Sequence, residues 1–335
     1  MRVFLAGATG AIGRRLLPLL VRSGHFVTGT TRSADKAAGL RAAGADAVVV
    51  DALDAAAIEA AILRARPEVI IHELTAIPAT LDMRKFASEF HLTNRLRTEG
   101  TMNLLAAALS AGVHRFVAQS FGAWPYARTG GPVKTENDPL DSEPPSALRE
   151  TLEAIRYLES AVLEAADLEG LALRYGWFYG PGTGLGENGG QVEMVRHRRL
   201  PVIGGGTGVW SFIHIDDAAI ATLAAVEHGA PGIYNVADDE PAAASEWIPE
   251  LAKALGAKPP LRLPGWLGRL AIGEQGLMMM TSIRGMSNAK AKRELGWHPR
   301  WPVGAKDSAT GCQKPAPRED WRCWGVPVAI KPEPP

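Results

Sequence analysis

Short apolar runs alternate with stretches of helical spacing along the first half of the chain. Six runs are nearly continuous in apolar residues, as strands covered on both faces are: 2–8, 25–30, 47–50, 68–74, 115–120 and 170–175. Apolar residues spaced three and four positions apart predict helices in four intervening stretches: 11–24, 34–44, 54–65 and 93–112. This alternation predicts an α/β fold with a doubly wound parallel sheet of the Rossmann type.

The pattern changes beyond the fifth strand. Residues 121–147 contain five prolines and three glycines without a period, which predicts a long loop of the kind that covers a site. Helical spacing returns at 147–166, and the segments after 180 are shorter. We therefore predict three regions: a dinucleotide-binding domain over 1–180, to which 215–240 return, a smaller C-terminal α/β substrate lobe over 181–302, and an extended or disordered tail over 303–335.

A glycine turn follows the first predicted strand. The stretch "GATGAIG" places Gly7, Gly10 and Gly13 between that strand and the first helix. Such glycines permit a tight turn, a close approach of the backbone to a pyrophosphate, and close packing of helix on sheet. The helix N-terminus then attracts the phosphate charge. The turn therefore predicts a dinucleotide-binding site.

The end of the second strand bears on which dinucleotide is bound. An acid about 20 residues after the glycines usually recognises the ribose of NAD, but the chain reads "GTTRS" here, with Thr31 and Arg32. A guanidinium attracts a 2′-phosphate instead. We therefore expect NADP(H) to be preferred over NAD(H), with Arg14 as a further contributor.

Composition and charge narrow the partners. Lys plus Arg and Asp plus Glu each number 36, so the formal charge is zero. This balance gives no electrostatic reason to expect nucleic acid or an anionic membrane. No leader pattern or run of about 20 apolar residues is present, and Cys312 and Cys323 both lie in the last 25 residues. We expect a cytoplasmic protein with free thiols. The stretches "HIDD" and "HEL" lack zinc spacing, so no metal is expected.

Several motifs in combination resemble the extended and atypical short-chain dehydrogenase/reductases, the group called NAD-dependent epimerase/dehydratases, over about residues 1–300. The motifs are "GATGAIG", "VVVDALD", "TNRLRTEGTMNLLAAALSAGVHRFVAQS", "LRYGWFYGPG", "FIHIDDAA" and "NAKAKRELGWHP". Together with the glycine turn, the resemblance implies this cofactor-binding set: Gly7, Thr9, Gly10, Ala11, Ile12, Gly13, Thr31, Arg32, Asp51, Ala52, Leu74, Thr75, Ala76, Gln119, Tyr175 and Gly176.

Within that set, the resemblance implies that Asp51 and Ala52 flank the adenine ring. Leu74 and Thr75 are implied to line the cofactor ribose, and Tyr175 with Gly176 to lie beside the nicotinamide. Outside the set, Asn94 is implied to order the active-site backbone and a water molecule. The resemblance also implies that Ser120 donates a hydrogen bond to a substrate carbonyl.

The chain departs from the family at the residues that move the proton. Family members use a tyrosine and, four residues later on the same helix face, a lysine that lowers the tyrosine pKa. Counting back from Glu159 places Thr151 and Ile155 there, and neither side chain can do this work. A proton must then come from elsewhere, with Tyr126, Tyr179 or a water held by Ser120 as candidates. Catalysis is assigned to Ser120, Asn94 and Tyr126.

The predicted substrate side differs from that of nucleotide-sugar enzymes. Those relatives hold a diphosphate with an arginine, where this chain has Trp210. Trp124, Trp177 and Phe178 are also expected near the substrate, and together the four favour an apolar or aromatic small molecule.

We therefore expect an NADP(H)-dependent oxidoreductase acting on a small apolar carbonyl compound with a non-standard proton donor. Two alternatives stay open: an epimerase or dehydratase with a tightly bound cofactor, and a non-catalytic, NmrA-like redox sensor. The oligomeric state stays open as well, with a homodimer as one option.

Overall fold

A seven-stranded parallel sheet forms the centre of the protein, as seen in a computed structural model that describes residues 1–78 and 81–301. Its strands are β1 (Arg2–Ala6), β2 (Phe26–Thr31), β3 (Asp46–Val49), β4 (Val69–His72), β5 (Arg115–Phe121), β6 (Glu169–Tyr175) and β7 (Gly232–Val236). Their order across the sheet is β3-β2-β1-β4-β5-β6-β7. The direction of winding therefore reverses between β1 and β4, and a crevice opens there at the carboxyl edge.

Helices cover both faces of the sheet. One layer contains α1 (Gly13–Arg22), α2 (Ala34–Ala42) and α8 (Ile215–Glu227). The other contains α3 (Ala55–Ala65), α5 (Thr101–Ala111) and α6 (Ser146–Leu163), with α4 (Phe86–Arg95) packed on α6. Because both faces are buried, the strands can be apolar throughout. The predicted doubly wound α/β fold is confirmed.

The stretch predicted as one helix over 93–112 is more complex. Helix α4 begins earlier, at Phe86, and is followed by a π-helical turn at Leu96–Gly100 before α5. A short 3₁₀ turn, Met83–Lys85, precedes α4. A π-helical turn is rare and often lies at a functional site.

A second group of elements lies outside the central sheet. It contains α7 (Gly190–Arg196), α9 (Ala244–Ala254), α10 (Gly265–Thr281) and α11 (Ala289–Leu295). Four small sheets each pair two short strands: Trp177–Tyr179 with Phe212–His214, Val202–Ile203 with Arg262–Leu263, Val209–Trp210 with Ala242–Ala243, and Val133–Lys134 with Gly285–Met286. Trp210, Trp247 and Met278 of this group belong to an apolar core that also includes residues of α4 and α6, such as Phe86 and Leu152. The domain limits at 180 and 302 stay predictions, and the tail over 303–335, with Cys312 and Cys323, lies outside the described residues.

The proline-rich segment after β5 is attached to the body of the protein. Val133–Lys134 pairs in parallel with Gly285–Met286, and the Arg284 guanidinium donates to the backbone oxygen of Arg128. Trp124 and Tyr126 are buried. The segment is therefore a loop with one short strand, held against the rest of the protein by these contacts.

Candidate active site

The glycine turn has the geometry of a phosphate cradle. Gly7 has φ +95°, and a Cβ there would lie 2.6 Å from the Glu73 backbone oxygen. A Cβ on Gly13 would lie 2.2 Å from the Gly7 oxygen. The Gly10 amide donates to that same oxygen at 2.9 Å, and α1 begins at Gly13. No larger residue fits at Gly7 or Gly13, and the backbone stays open to a pyrophosphate at the positive helix end. These residues fit a dinucleotide.

A cleft of about 210 Å³ adjoins the turn at the carboxyl ends of β1, β2 and β4. It brings together many of the predicted cofactor residues: Gly7, Thr9, Gly10, Thr31, Arg32, Asp51, Ala52, Leu74 and Thr75. Thr30, Val50, Glu73 and Leu96 also line it. Arg32 is exposed at the cleft wall, where a guanidinium is free to meet a phosphate.

The other predicted cofactor residues do not line this cleft. Ala11 is exposed, whereas Ile12 and Gly13 pack inward at the start of α1. The Ala76 amide donates to Thr93 Oγ1. Gln119 and Tyr175 are buried, and Gly176 lies against the Ser211 backbone. Their cofactor contacts stay predictions. Arg14 lines a separate groove between α1 and α8.

Glu73 is a cleft residue that the sequence analysis missed. Burial raises its pKa to about 8, against the opposing effect of a hydrogen bond from Tyr175. The Tyr175 hydroxyl donates to Glu73 Oε1 at 3.2 Å. Glu73 Oε2 is buried and has no hydrogen-bond partner in the described part of the chain. The side chain is therefore largely protonated at neutral pH. The sequence feature that could have indicated this residue is a single glutamate in the apolar run "VIIHEL".

Ser120 and Tyr126 belong to one buried polar network. Ser120 Oγ donates to Glu159 Oε1 at 2.6 Å, and Arg174 binds both carboxylate oxygens at 2.7 Å. Arg174 Nη1 also donates to the Tyr126 hydroxyl, which donates to Asn235 Oδ1 at 2.6 Å. Ser120 can thus accept a further hydrogen bond, but its proton is held by Glu159.

Neither tyrosine considered as a proton donor is well placed to release a proton. Burial raises the pKa of Tyr126 to about 12, although Arg174 opposes this. The Tyr179 hydroxyl is buried and donates to the Trp301 backbone oxygen at 2.5 Å. Their catalytic roles stay predictions, which the geometry does not favour.

Thr151 and Ile155 are the residues that the count back from Glu159 predicts at the positions of the missing pair. Both are buried on the inner face of α6, with Thr151 two turns and Ile155 one turn before Glu159. Asn94 is buried at the end of α4, which packs against α6. Its side-chain atoms have no hydrogen-bond partner among residues 1–78 and 81–301, while its backbone oxygen accepts from Thr98 Oγ1 at 3.0 Å.

Three of the four predicted substrate residues share one apolar cluster. Trp177 stacks on Trp210 at 4.8 Å between ring centroids, and Trp124 lies in the same cluster. Phe178 does not, because adjacent residues of a strand point to opposite sides; its ring lies 5.5 Å from that of Tyr175. Phe121, Phe212 and Trp247, which the sequence analysis did not single out, extend the aromatic cluster.

Two further observations concern metal ions and membranes. In the described ranges, no group of three or more His, Cys, Asp or Glu side chains could hold a metal ion. None of the helices described there is long and apolar enough to cross a bilayer.

Comparison with known proteins assigns the chain to a family. The model of the NAD dependent epimerase/dehydratase family matches residues 3–237. Over 308 residues the chain is 46% identical to a Streptomyces sp. protein named 3-diazoavenalumate denitrifying reductase, covering 91% of this chain and 99% of that protein. Over 279 residues it is 26% identical to the 2-alkyl-3-oxoalkanoate reductase of Stenotrophomonas maltophilia, covering 77% and 76%.

A solved structure agrees. UDP-glucose 4-epimerase of Thermus thermophilus, in complex with NAD, matches with a TM-score of 0.68 and 25% identity, covering 91% of this chain and 95% of that one. The family resemblance and the prediction of an enzyme are thereby confirmed. The chain belongs to the NAD-dependent epimerase/dehydratase family and is an enzyme of its NAD(P)-dependent oxidoreductase type.

Proposed function

We propose that this enzyme catalyses NADP(H)-dependent hydride transfer to an aromatic diazonium compound, which leaves as the arene and N₂. The observation that carries the proposal is the replacement of the family's acid pair by Thr151 and Ile155, both buried on α6. The 46%-identical relative named as a denitrifying reductase of a diazo compound supports it.

The balance of the reaction explains why the pair is dispensable. Reduction of a carbonyl consumes a hydride and a proton, and the proton needs a donor. Replacement of a diazonium group forms one C–H bond, breaks one C–N bond and releases N₂. The bonding electrons come with the hydride and no proton is consumed. A site without an acid can therefore run this reaction.

The chain's own residues would bind and orient the reactants. When bound, a nicotinamide cofactor supplies the hydride. The turn at Gly7 and Gly13 accommodates its pyrophosphate, and Arg32 is suited to a 2′-phosphate. Trp177, which stacks on the buried Trp210, is partly exposed and can contact a flat substrate. Holding the partners in contact contributes a large part of the rate enhancement.

A second candidate is reduction of a carbonyl compound, the substrate class expected from the sequence. One observation favours it: Glu73 lines the cleft, its pKa is raised to about 8 by burial, and its Oε2 has no partner within the described residues. A protonated carboxyl could supply the proton that the missing tyrosine would give. The similarity to a 3-oxoalkanoate reductase is consistent with this candidate.

Isotope labelling separates the two candidates. The enzyme is incubated with C4-deuterated NADPH and benzenediazonium, and parallel reactions contain simple ketones and quinones. For the proposed function we expect N₂ release and deuterium on the ring carbon. The same reaction with unlabelled NADPH in D₂O should leave the ring carbon free of deuterium.

A variant of the glycine turn provides the control for this experiment. Gly13→Val should abolish turnover, because any Cβ there meets the Gly7 oxygen at 2.2 Å. Product that still forms with this variant measures the uncatalysed reaction between NADPH and the substrate. Turnover of carbonyls alone would replace the proposal by the second candidate. Tight NADPH binding without turnover of either class would refute both.

A further inference from the structure

Three buried polar side chains between α4 and α6 lack partners. Asn94 Nδ2 and Oδ1, Arg97 Nη1 and Thr151 Oγ1 make no hydrogen bond with any residue that the structure describes. The relative exposure of these three residues is 3%, 2% and 1%. An unmet buried polar atom costs about 1–3 kcal/mol, so an unpaired group of this kind indicates a missing ligand or water.

The three side chains lie on elements that pack against one another next to the cleft. Asn94 and Arg97 are three residues apart across the junction of α4 with the π-helical turn, and therefore lie on one side of it. Helix α6, which carries Thr151, packs against both elements. Arg97 lies within electrostatic reach of His72 at the end of β4 and of Glu159 on α6, while its neighbour Leu96 lines the cleft.

The positive charge of Arg97 is not balanced by its surroundings. Glu159 is the nearby carboxylate, but Arg174 already binds both of its oxygens and Ser120 donates to one. Burial lowers the pKa of His72 to about 4, so this imidazole is neutral. The guanidinium groups of Arg97 and Arg174 therefore share one nearby carboxylate, that of Glu159. A buried unpaired charge is strongly unfavourable, and an anion would relieve it.

We propose that Arg97, with Asn94 and Thr151, forms a subsite for a carboxylate group of the substrate. The guanidinium can hold a carboxylate through two parallel hydrogen bonds, and the amide and the hydroxyl supply further donors. The inference rests on the proposed function and deepens it, since the substrate becomes an aromatic acid. The guanidinium of the π-helical turn thus serves to bind substrate, whereas the family's lysine serves to lower a tyrosine pKa.

Binding of two matched ligands tests the subsite without turnover. The full-length enzyme, saturated with NADP⁺, is titrated by calorimetry with 2-naphthoate and with the neutral isostere 2-naphthamide. We expect naphthoate to bind at least about tenfold more tightly, as a charge-assisted pair allows. Arg97→Gln should reduce this ratio to about two or less, and Arg97→Lys should retain part of it because Lys keeps the charge but not the fork.

Arg149→Gln is the matched control, because it removes an exposed charge two residues from Thr151 and should leave the ratio unchanged. If Arg97→Gln fails to fold, Thr151→Val should still weaken naphthoate several-fold and naphthamide little. An unchanged ratio in Arg97→Gln, or a variant that loses affinity for NADP⁺ and not for naphthoate, would overturn the subsite. Turnover of benzenediazonium, which has no carboxylate, tests the proposed function separately.

Discussion

At the scale of single residues, Gly7 and Gly13 are constrained by the space around them, and Arg97 by the charges around it. Gly7 and Gly13 were identifiable because their spacing after a strand permits no side chain. Arg97 was not, since its charge is unpaired only after α4 and α6 pack together, and helical spacing alone does not show which arginine becomes buried. The environment of such a residue is a property of the fold.

Arg32 should govern the choice of cofactor. Removing its guanidinium in Arg32→Ala would delete a charge-assisted contact with the 2′-phosphate, worth about 1.5–3 kcal/mol. We expect affinity for NADPH to fall about 10–100-fold and affinity for NADH to change less than about threefold. Fluorescence titration with each cofactor measures both, and Arg22→Ala, an exposed arginine of the separate groove, serves as the control. Equal losses for the two cofactors would contradict the assignment.

Glu73 should make stability depend on pH. Its folded pKa, about 8, is above the ordinary carboxyl value because burial disfavours the charge. Its contribution to stability is therefore complete below the unfolded pKa near 4.5 and is lost as the pH rises through about 8. Between these values the free energy of unfolding of the wild type should fall relative to Glu73→Gln by on the order of 1 kcal/mol per pH unit. Urea unfolding at pH 5, 6, 7 and 8 provides the comparison, and parallel curves would refute the shift.

At the scale of secondary-structure elements, the helices and strands of the first half were predictable because each strand is covered on both faces. The π-helical turn at Leu96–Gly100 was not predictable, because its apolar spacing fits a continuous helix. The buried network was also hidden. It joins Ser120 on β5, Glu159 on α6 and Arg174 on β6, which are far apart in the chain and meet only when these elements pack.

Glu159 should fasten α6 to β5 and β6. Burial opposes the charge on Arg174, yet the hydrogen bonds and charge of Glu159 outweigh it and raise the pKa of that guanidinium. Glu159→Gln would leave the guanidinium buried without its counter-ion, and we expect a loss of about 3–5 kcal/mol in the free energy of unfolding. Urea denaturation measures this loss.

The exposed pair Arg95 and Glu99 offers a matched comparison on the neighbouring helix. Glu99→Gln should lower the free energy of unfolding far less than Glu159→Gln does, because solvent screens the exposed pair. If the two glutamine variants lost similar stability, the network would not hold these elements together.

At the scale of the whole molecule, the carboxyl edge of the sheet gathers the glycine turn, Glu73 and the neighbourhood of Arg97. These residues lie together because the strand order reverses between β1 and β4. A binding site at this edge was therefore predictable from the fold class. The substrate side was less predictable, because the aromatic cluster draws Trp177, Trp210 and Trp247 from separate short elements.

Asp217 should fasten the last described residues to the core. Its Oδ2 accepts from the Arg300 and Trp301 amides at 2.8 and 2.9 Å, and its backbone oxygen accepts from the Trp297 indole. Asp217→Ala should lower the free energy of unfolding by about 1–3 kcal/mol, since two hydrogen bonds are lost.

Hydrogen exchange should then show faster exchange at Arg300 and Trp301, with the central strands unaffected. Asp216→Ala provides the control, because the Asp216 side chain pairs with Arg15 instead. Unchanged exchange at both amides would contradict the role of Asp217.

The two-residue pairing of Val133–Lys134 with Gly285–Met286 ties the segment after β5 to a distant part of the chain. Met286 also presses on Gly122, where a Cβ would come within 2.2 Å of its sulfur. Lifting the segment after β5 must therefore break contacts made by the far C-terminal part of the chain. Opening of that segment for a bulky molecule would require this pairing, which joins residues more than 150 positions apart, to break. Where product release is the slow step and needs such an opening, loosening Gly285–Met286 should speed turnover.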